Sequence, residues 1–285
     1  MTTETPTPLV DFTAAAAEAR AIADAAGVVI TAVDEVTAAR RVNQLAERVW
    51  GPGVGTAVDL VTALAHAGGV ALLAAHGTAG EPATDVGFAL GFLGWADGLH
   101  LHSHQVGVAP EHRSRGVGLA LKLAQRAVCL EHGVRLMRWT FDPLLAPNAH
   151  FNLARLGASG TAFLPDFYGR MADSINAGDR SDRLEISWRL DRALPSKRPA
   201  APQANESLVL EADSRGWPHP TGEPLGPGCA VEIPGNYSEL RQLADPRAPA
   251  WRQAVGETLA GAFAAGLTVA EFRNSRYLLA APHRP

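Results

Sequence analysis

The most constraining feature of this sequence is the run Arg-Ser-Arg-Gly-Val-Gly at residues 113–118, which stands directly before an apolar segment. That segment, 117–132, predicts a helix because its apolar residues recur at helical spacing. One stripe consists of Val117, Leu121, Ala124 and Val128, and the residues expected to face away are Lys122, Gln125 and Arg126. Glycines ahead of a helix expose backbone N–H groups, and a helix N-terminus attracts anions. The run therefore predicts an anion-binding turn between a strand and a helix.

Two familiar phosphate-binding patterns do not match this turn. A Walker loop ends in Gly-Lys-Ser/Thr, and a dinucleotide-binding fold carries Gly-x-Gly-x-x-Gly after its first strand. Here the glycines stand at 116 and 118, after the fourth predicted strand. Successive amide N–H groups flanked by such glycines suit a pyrophosphate. A plain glycine-rich turn is the alternative in a chain with 28 glycines, and the strand–turn–helix–strand order argues against it.

The order of predicted elements indicates a mixed α/β (α+β) fold. The predicted helices are 13–26, 34–50, 57–67, 117–132 and 248–265, and the predicted strands are 28–33, 69–76, 86–95, 99–108, 134–142, 183–190, 207–212, 229–234 and either 267–272 or 276–280. Several hairpins, one of them around residues 80–85, and a single crossover predict a mostly antiparallel central sheet flanked by helices.

A Pro/Ala-rich segment without periodicity predicts a linker at 191–206. We therefore predict a main domain over residues 1–190 and a smaller α/β extension over 207–285. The extension is too small to form a stable hydrophobic core of its own, so we expect it to dock on the main domain.

Charge and cysteine content exclude several classes of function. A net charge of −4 leaves no basic field for nucleic acid or an anionic membrane. Cys129 and Cys229 have no partner at metal or redox spacing, so we expect a reducing, cytoplasmic location. Residues 1–12 carry acidic and no basic side chains, so no signal peptide is expected, and the longest apolar stretches are about half a membrane span. Exposed strand edges in the extension would be compatible with a homodimer.

Residues 106–125, VGVAPEHRSRGVGLALKLAQ, resemble the acyl-CoA-binding segment of the GNAT N-acyltransferase superfamily. The signature of that segment is Arg/Gln-x-x-Gly-x-Gly/Ala after a strand ending in Val-x-Pro-x-x-Arg. The order of strands and helices extends the resemblance over about residues 28–190. The VEIP and WRQA segments of the C-terminal region resemble a larger bacterial branch of the superfamily that has a C-terminal extension. Some members of that branch are linked to N-succinylation of amino acids. The resemblance implies a GNAT-like sheet and N-acyltransferase activity.

The resemblance also implies acyl-CoA, either acetyl-CoA or succinyl-CoA, as co-substrate, and no metal. The pyrophosphate is expected at the backbone of Arg113, Ser114, Arg115, Gly116, Val117 and Gly118. The strand at 104–108 is expected to splay from its neighbour and pair with the pantetheine arm along Val106, Gly107 and Val108. The Val106 N–H then polarises the thioester carbonyl, and Val108 binds the arm.

Three histidines of the strand LHLHSHQVGV are candidates for a base. His100, His102 and His104 alternate, so we expect them on one face together with Val106 and Val108. A base matters most for lysine-like acceptors, since at pH 7 an α-amino group is about 10% neutral and a lysine about 0.04%. By the resemblance, His102 stands where several members carry a glutamate base, and His104 is the second candidate. Structural imidazoles are the alternative, and a His-x-His metal site has no further ligand in view.

The proton donor for the leaving thiolate is absent from its usual place. Aligned on its Leu-Gly pair, the segment 146–158 (APNAHFNLARLGA) carries Leu153 where the superfamily often has tyrosine, and alanine where it often has asparagine. Asn148 and Asn152 then become candidates for the cofactor site. Tyr168 is the nearest tyrosine and a candidate donor; the alternatives are that it packs a loop, and that water protonates the thiolate.

The acceptor pocket is expected near Trp50, at the break Trp-Gly-Pro-Gly, and near the strand that ends at Asp142. Asp142 is a candidate for holding an ammonium, and capping of the following turn is its alternative role. Arg138 shares a strand face with Asp142 and is a candidate for an acceptor or acyl carboxylate, with a salt bridge in that neighbourhood as its alternative.

Two functions follow from these patterns. The first is an acyl-CoA-dependent N-acyltransferase that moves an acetyl or succinyl group to the amine of a small molecule, such as an amino acid, by direct attack in a ternary complex. The second is a non-catalytic acyl-CoA-binding module, a sensor or assembly subunit, which the missing tyrosine favours. A degenerate second acyltransferase half in the C-terminal region is a further alternative.

Overall fold

The computed structural model describes residues 9–76, 83–169, 171, 178–195 and 206–282, and the chain divides into two units. Unit 1 comprises residues 1–139, 172–175 and 189–193, and unit 2 comprises residues 140–171, 176–188 and 194–285. The main division at Trp139 and Thr140 thus differs from the boundary expected at 191–206. Residues 196–205 of that linker and residues 80–82 of the predicted hairpin lie outside the described residues, so the linker stays a prediction.

The sheet of unit 1 has the strand order β1-β2-β3-β4-β5. Its strands are β1 (Val29–Ala32), β2 (Val70–His76), β3 (Thr84–Gly94), β4 (His100–Val108) and β5 (Leu136–Phe141, the last two residues belonging to unit 2), and its helices are α1 (Phe12–Ala25), α2 (Val36–Trp50), α3 (Val58–His66) and α4 (Val117–Glu131). Strands β1 to β4 are antiparallel to their neighbours, and β5 runs parallel to β4 after the crossover through α4. The predicted mixed, mostly antiparallel sheet with flanking helices is confirmed.

One face of this sheet packs against α2 and α3. The buried residues of α2 recur at helical spacing and are Ala38, Ala39, Val42, Leu45 and Ala46. They form one apolar cluster with Leu73 of β2 and with Phe88 and Leu90 of β3. Phe92 follows at the same alternation on β3 and therefore points to the same side, which we call the α2/α3 face.

The opposite face, which we call the α4 face, packs against α4. A side chain at Gly87 of β3 would meet Val117 and Leu121 of α4 at 2.9 and 3.0 Å, so glycine permits this close approach. Helix α1 packs on α4 as well. Helix α4 is therefore buried nearly all round rather than along one stripe.

The expectation that Lys122, Gln125 and Arg126 face away from the core was wrong, since all three are buried. Lys122 and Gln125 face the sheet, where both bond to the Ser103 hydroxyl of β4, and Arg126 lies against α1; periodicity alone did not reveal either contact. The Arg126 guanidinium donates to the carbonyl oxygens of Leu190 and Arg192 at 2.7 Å each, and it also pairs with a carboxylate of α1, Glu18, at 2.7 Å. A buried charge needs such partners.

Unit 2 contains strands in the order β7-β6-β11-β12-β10-β8-β9. Its strands are β6 (Ser159–Leu164), β7 (Arg183–Arg189, the last residue belonging to unit 1), β8 (Ser207–Ala212), β9 (Pro218–Pro220), β10 (Cys229–Glu232), β11 (Thr268–Arg273) and β12 (Arg276–Ala280), and its helices are α5 (Ala146–Ala149), continued by a π-helical segment (His150–Arg155), α6 (Tyr237–Gln242) and α7 (Arg247–Ala264). β11 pairs with β6, so the C-terminal strands share a sheet with β6 and β7. Across the described ranges, no helix is both long and apolar enough to cross a membrane.

Candidate active site

Strand β4 pairs with β3 along its whole length but with β5 at one end only. The β4–β5 register covers Leu101 and His102, and residues 103–108 have β3 as their strand partner within the described residues. The backbone on this edge is open to a ligand that completes the ladder as a strand would. This is the geometry expected for the splayed strand.

The backbone donors on that open edge belong to Val106 and Val108. The N–H of Ala109, which directly follows β4, donates to the carbonyl oxygen of Val86 on β3 at 2.9 Å. Donor direction alternates along an antiparallel pair, so the N–H groups of Val106 and Val108 point away from β3. They are therefore available to a ligand on the β5 side.

The turn before α4 exposes a second set of amides. Gly116 is the N-cap residue with φ +91°, a conformation that favours glycine, and within the described part of the chain it provides no side-chain cap for the helix. The first N–H groups of a helix lack intrahelical acceptors and carry partial positive charge. A Cβ on Gly118 would meet only the Cγ2 of Val108, at 3.8 Å, so the approach to these amides is open.

Two arginines add charge to this turn. Arg113 and Arg115 are both exposed, and the Arg113 Nε donates to the carbonyl oxygen of Val108 at 3.4 Å. The contact ties the turn to the end of β4. Guanidinium groups beside uncapped amides fit a diphosphate, and the open β4 edge fits the amide groups of a pantetheine arm. The residues present therefore fit acyl-CoA.

A β-bulge changes the direction of side chains along β4. Two residues of β4, 103–104, lie opposite a single residue of β3, Gly91. His102 comes before the bulge and is paired with Phe92, so its side chain shares the α2/α3 face with Phe92.

The valines beyond the bulge point to the opposite face. Val106 is paired with Ala89 and Val108 with Gly87, and both pairs lie on the α4 face. The expectation that the histidines share one face with Val106 and Val108 was wrong for His102, because the extra residue of the bulge reverses the alternation.

The His102 ring is half-buried beside two other rings. Its centroid lies 5.1 Å from that of Phe92 and 6.3 Å from that of His104. Burial is the main cause that lowers the pKa of His102 to about 4, and the neighbouring histidines and Lys122 add to it. Partial burial lowers the pKa of His104 as well. Both rings are therefore neutral at pH 7 and are weaker bases than an ordinary histidine.

A buried polar cluster supports the bulge from the α4 face. The Lys122 Nζ donates to the Ser103 Oγ at 2.9 Å, and that hydroxyl donates to the Gln125 Oε1 at 2.8 Å. The ammonium also lies 3.7 Å from the centre of the Trp139 ring on β5. Burial lowers the pKa of Lys122 to about 7. The cluster links β4, β5 and α4 at the point where β4 leaves β5.

Replacing Lys122 with methionine is expected to raise the melting temperature at pH 7 by about 5 °C, because it removes a buried charge. It is also expected to flatten the pH dependence of stability. Between pH 7 and 10.5 the unfolded chain binds a proton that the folded lysine has lost, so wild-type stability rises with pH in this window.

Thermal unfolding followed by circular dichroism between pH 7 and 9 tests this prediction. Above pH 9 the buried thiol of Cys129, whose pKa is raised to about 12, acts in the opposite direction. If stability changes equally with pH in wild type and Lys122→Met between pH 7 and 9, the lowered pKa of Lys122 would be contradicted.

The break between α2 and α3 places further side chains over the α2/α3 face. The half-buried Trp50 ring meets Phe88 edge-on with centroids 5.5 Å apart. The Thr56 Oγ1 donates to the Gln105 Oε1 of β4 at 2.9 Å. Trp50 and Thr56 thus lie over the sheet face that carries His102, and a substrate contact of Trp50 stays a prediction.

Strand β5 places Arg138 next to His102, its direct partner in the β4–β5 register. The Arg138 Nη1 donates to the carbonyl oxygen of Ala96 at 3.1 Å and to the carboxylate of Asp97 at 3.2 Å. The ion pair therefore involves the β3–β4 turn, whereas the neighbourhood of Asp142 was expected.

In unit 2, Asp142 is buried and both its carboxylate oxygens are engaged. Arg252 donates to them at 2.8 and 2.7 Å, and the Leu144 N–H donates at 2.9 Å. The last contact is the turn cap considered as the alternative role. An acceptor ammonium would have to displace Arg252, so we assign Asp142 a structural role, and its substrate-binding role stays an unsupported prediction.

The remaining predicted residues also belong to unit 2. Tyr168 is exposed in the turn after β6, with its Oη 3.3 Å from the Thr140 Oγ1 and its ring 4.7 Å from that of Phe167. Asn148 is exposed in α5, and Asn152 is buried in the π-helical segment. The donor role of Tyr168 and the cofactor roles of Asn148 and Asn152 stay predictions.

Two residues, Phe92 and Lys122, were not predicted to belong to this site. Phe92 lies in a strand whose alternation was visible, so the hairpin register was the signal that could have paired it with His102. Lys122 stands in the run LALKLAQ between apolar residues on both sides, which is a signal for burial. Within the residues that the structure describes, no three His, Cys, Asp or Glu side chains are grouped as metal ligands would be.

No protein-family model and no curated protein sequence matches this chain. Among solved structures, it is similar to the ribosomal-protein-S18-alanine N-acetyltransferase of Escherichia coli, with 13% identity, 61% of this chain and 99% of that chain covered, and a TM-score of 0.46. It is similar to yncA of Salmonella typhimurium, solved with its cofactor acetyl-CoA, with 18% identity, coverage of 62% and 99%, and a TM-score of 0.44. It is also similar to a GNAT-family protein of Desulfovibrio desulfuricans, with 20% identity, coverage of 57% and 99%, and a TM-score of 0.43.

Proposed function

We propose that this chain is a GNAT-type, acyl-CoA-dependent N-acyltransferase that acts on the amine of a small molecule. The observation that carries the proposal lies within unit 1, where the open edge of β4 and the uncapped N-terminus of α4 are joined by the short turn 109–116. A single extended ligand with amide groups at one end and a diphosphate at the other matches the backbone donors of both the β4 edge and the α4 N-terminus.

The proposed reaction is a direct transfer from CoA, with an acetyl or succinyl group as donor. The amine nitrogen attacks the thioester carbonyl carbon, and the Val106 N–H donates to the oxygen on which negative charge develops. His102 accepts the proton that the nitrogen loses. The N–C bond forms, the C–S bond breaks, and the thiolate takes a proton from water.

A non-catalytic acyl-CoA-binding module is the second candidate. It is supported by Leu153, which stands at the tyrosine position of the superfamily, is 4% exposed and offers no proton. Under this alternative CoA binds to unit 1 and the thioester remains intact.

Free-thiol release from acetyl-, propionyl- and succinyl-CoA, each mixed with pooled amino acids or simple amines, tests the first candidate against the second. We expect CoA alone to raise the melting temperature and one acyl–amine pair to release thiol. Stabilisation without release from any pair would support the binding module, and no stabilisation by CoA would overturn both.

We also propose a cytoplasmic location and no nucleic-acid partner. Two buried free thiols, Cys129 and Cys229, support a reducing compartment, and the net charge of −4 disfavours nucleic acid. The homodimer stays a prediction, tested by the mass of the protein in solution.

A further inference from the structure

Among the described residues, one donor edge of the Arg138 guanidinium is unused. Its side chain is 16% exposed, and the two hydrogen bonds that it makes to described residues, Ala96 and Asp97, both come from Nη1. The Nε is buried and, within the described residues, neither it nor Nη2 has an acceptor. The Nε–Nη2 edge is a fork that matches the two oxygens of a carboxylate. A buried donor without a partner is costly and calls for a physical explanation.

This edge belongs to a row of side chains on the α2/α3 face. The registers align Phe92 of β3 with His102 of β4, and His102 with Arg138 of β5. Neighbouring strands lie about 4.8 Å apart, so one small molecule over this face can contact the side chains of both His102 and Arg138. We propose that the acceptor is an amino-acid-like molecule whose carboxylate binds the Nε–Nη2 edge of Arg138 while its amine faces His102.

The present partner of Arg138 does not block this role. The Asp97 side chain is 85% exposed and makes a single 3.2 Å contact with Nη1, on the opposite side of the guanidinium from Nε. An exposed ion pair of this kind contributes little. It leaves a positive charge beside the neutral His102, where a substrate carboxylate would be its strongest partner.

The geometry favours the acceptor over the acyl group as the source of the carboxylate. Arg138 and His102 share the α2/α3 face. The group proposed to donate a hydrogen bond to the thioester carbonyl is the Val106 N–H, which lies on the open edge beyond the bulge. The weak basicity of His102 agrees with this choice, because an α-amino group is about 10% neutral at pH 7 and needs less help than a lysine.

This inference rests on the proposed N-acyltransferase function, and the experiment separates the two. Thiol release is measured with a pool of neutral L-amino acids and with a pool of their decarboxylated amines, such as phenethylamine and isoamylamine, each with acetyl-CoA and succinyl-CoA. The proteins are wild type, Arg138→Met, Arg138→Lys and, as a matched control, Arg40→Met on the exposed surface of α2. A thermal shift of each CoA complex with both pools gives a second readout.

We expect kcat/KM to be at least about tenfold higher for the amino-acid pool, and Arg138→Met and Arg138→Lys to lose that advantage while Arg40→Met keeps it. If Arg138→Met does not fold, Arg138→Lys alone decides, since it keeps the charge and loses the fork. Equal use of both pools, or an Arg138 dependence that follows succinyl-CoA instead of the acceptor, would overturn the inference.

If wild type releases no thiol from any pair, the proposed function fails and binding decides the inference separately. Stabilisation of the CoA complex by the amino-acid pool in wild type but not in Arg138→Met would still support the carboxylate site. Absence of that stabilisation would overturn it.

Discussion

Replacing His102 with alanine is expected to lower kcat by about 10²- to 10⁴-fold while the Kd for CoA stays within about threefold of wild type. The reason is positional. His102 lies on the α2/α3 face, whereas the donors proposed to hold CoA lie on the open edge of β4 and at the N-terminus of α4. Steady-state thiol release measures the first quantity, and isothermal titration with CoA measures the second.

The pH profile and chemical rescue distinguish a base from a structural ring. With a pKa of about 4, His102 is neutral at all pH values above that, so the acid limb it causes in kcat/KM should lie near pH 4. If kcat/KM already falls with decreasing pH well above pH 4, that fall reports protonation of the acceptor amine. Added imidazole should restore part of the activity of His102→Ala.

A matched control for His102 is His132→Ala, which removes an exposed histidine at the end of α4 and should leave kcat unchanged. A loss in His104→Ala as large as in His102→Ala, with rescue by imidazole, would move the base to His104. An unchanged kcat in His102→Ala would mean that water deprotonates the amine.

Replacing Gly118 with leucine is expected to weaken CoA binding about 100-fold or more without loss of stability. Cα–Cβ bonds tilt toward the helix N-terminus, so the new side chain would cover the amides before it. Loss of two charge-assisted hydrogen bonds, about 1.5 kcal/mol each, corresponds to roughly that factor. The Cβ itself meets only the Val108 Cγ2, at 3.8 Å, and leucine improves helix propensity by up to ~1 kcal/mol.

Gly133, at the other end of the same helix, provides the control. It has φ +74° and open space around its Cβ position. Gly133→Ala should cost about 1 kcal/mol of stability and leave the Kd for CoA unchanged, the opposite pattern to Gly118→Leu. Thermal unfolding and titration of both variants with CoA give the comparison. Wild-type affinity in Gly118→Leu would contradict a diphosphate at this turn.

The elements that sequence analysis located well are those with strong local signals. Helix α4 and its turn were predicted because apolar periodicity and the glycines at 116 and 118 act within a few residues, and Gly116 indeed adopts a positive φ. The helix predicted at 13–26 is found as α1 at Phe12–Ala25. Strand β6 was missed because it pairs with β7 and β11, which are distant in sequence, and β9 was missed because it has only three residues, two of them proline.

The sequence by itself determined the strand–turn–helix unit, the mixed sheet and the candidate residues His102 and Arg138, because periodicity, turn chemistry and residue type are local properties. Only the tertiary structure decided which way those residues point. The bulge opposite Gly91 turns His102 to the α2/α3 face, and the packing of α4 on β4 and β5 buries Lys122, which was expected at the surface. Both outcomes depend on which segments pack together, and the local sequence of one strand or helix does not specify its packing partners.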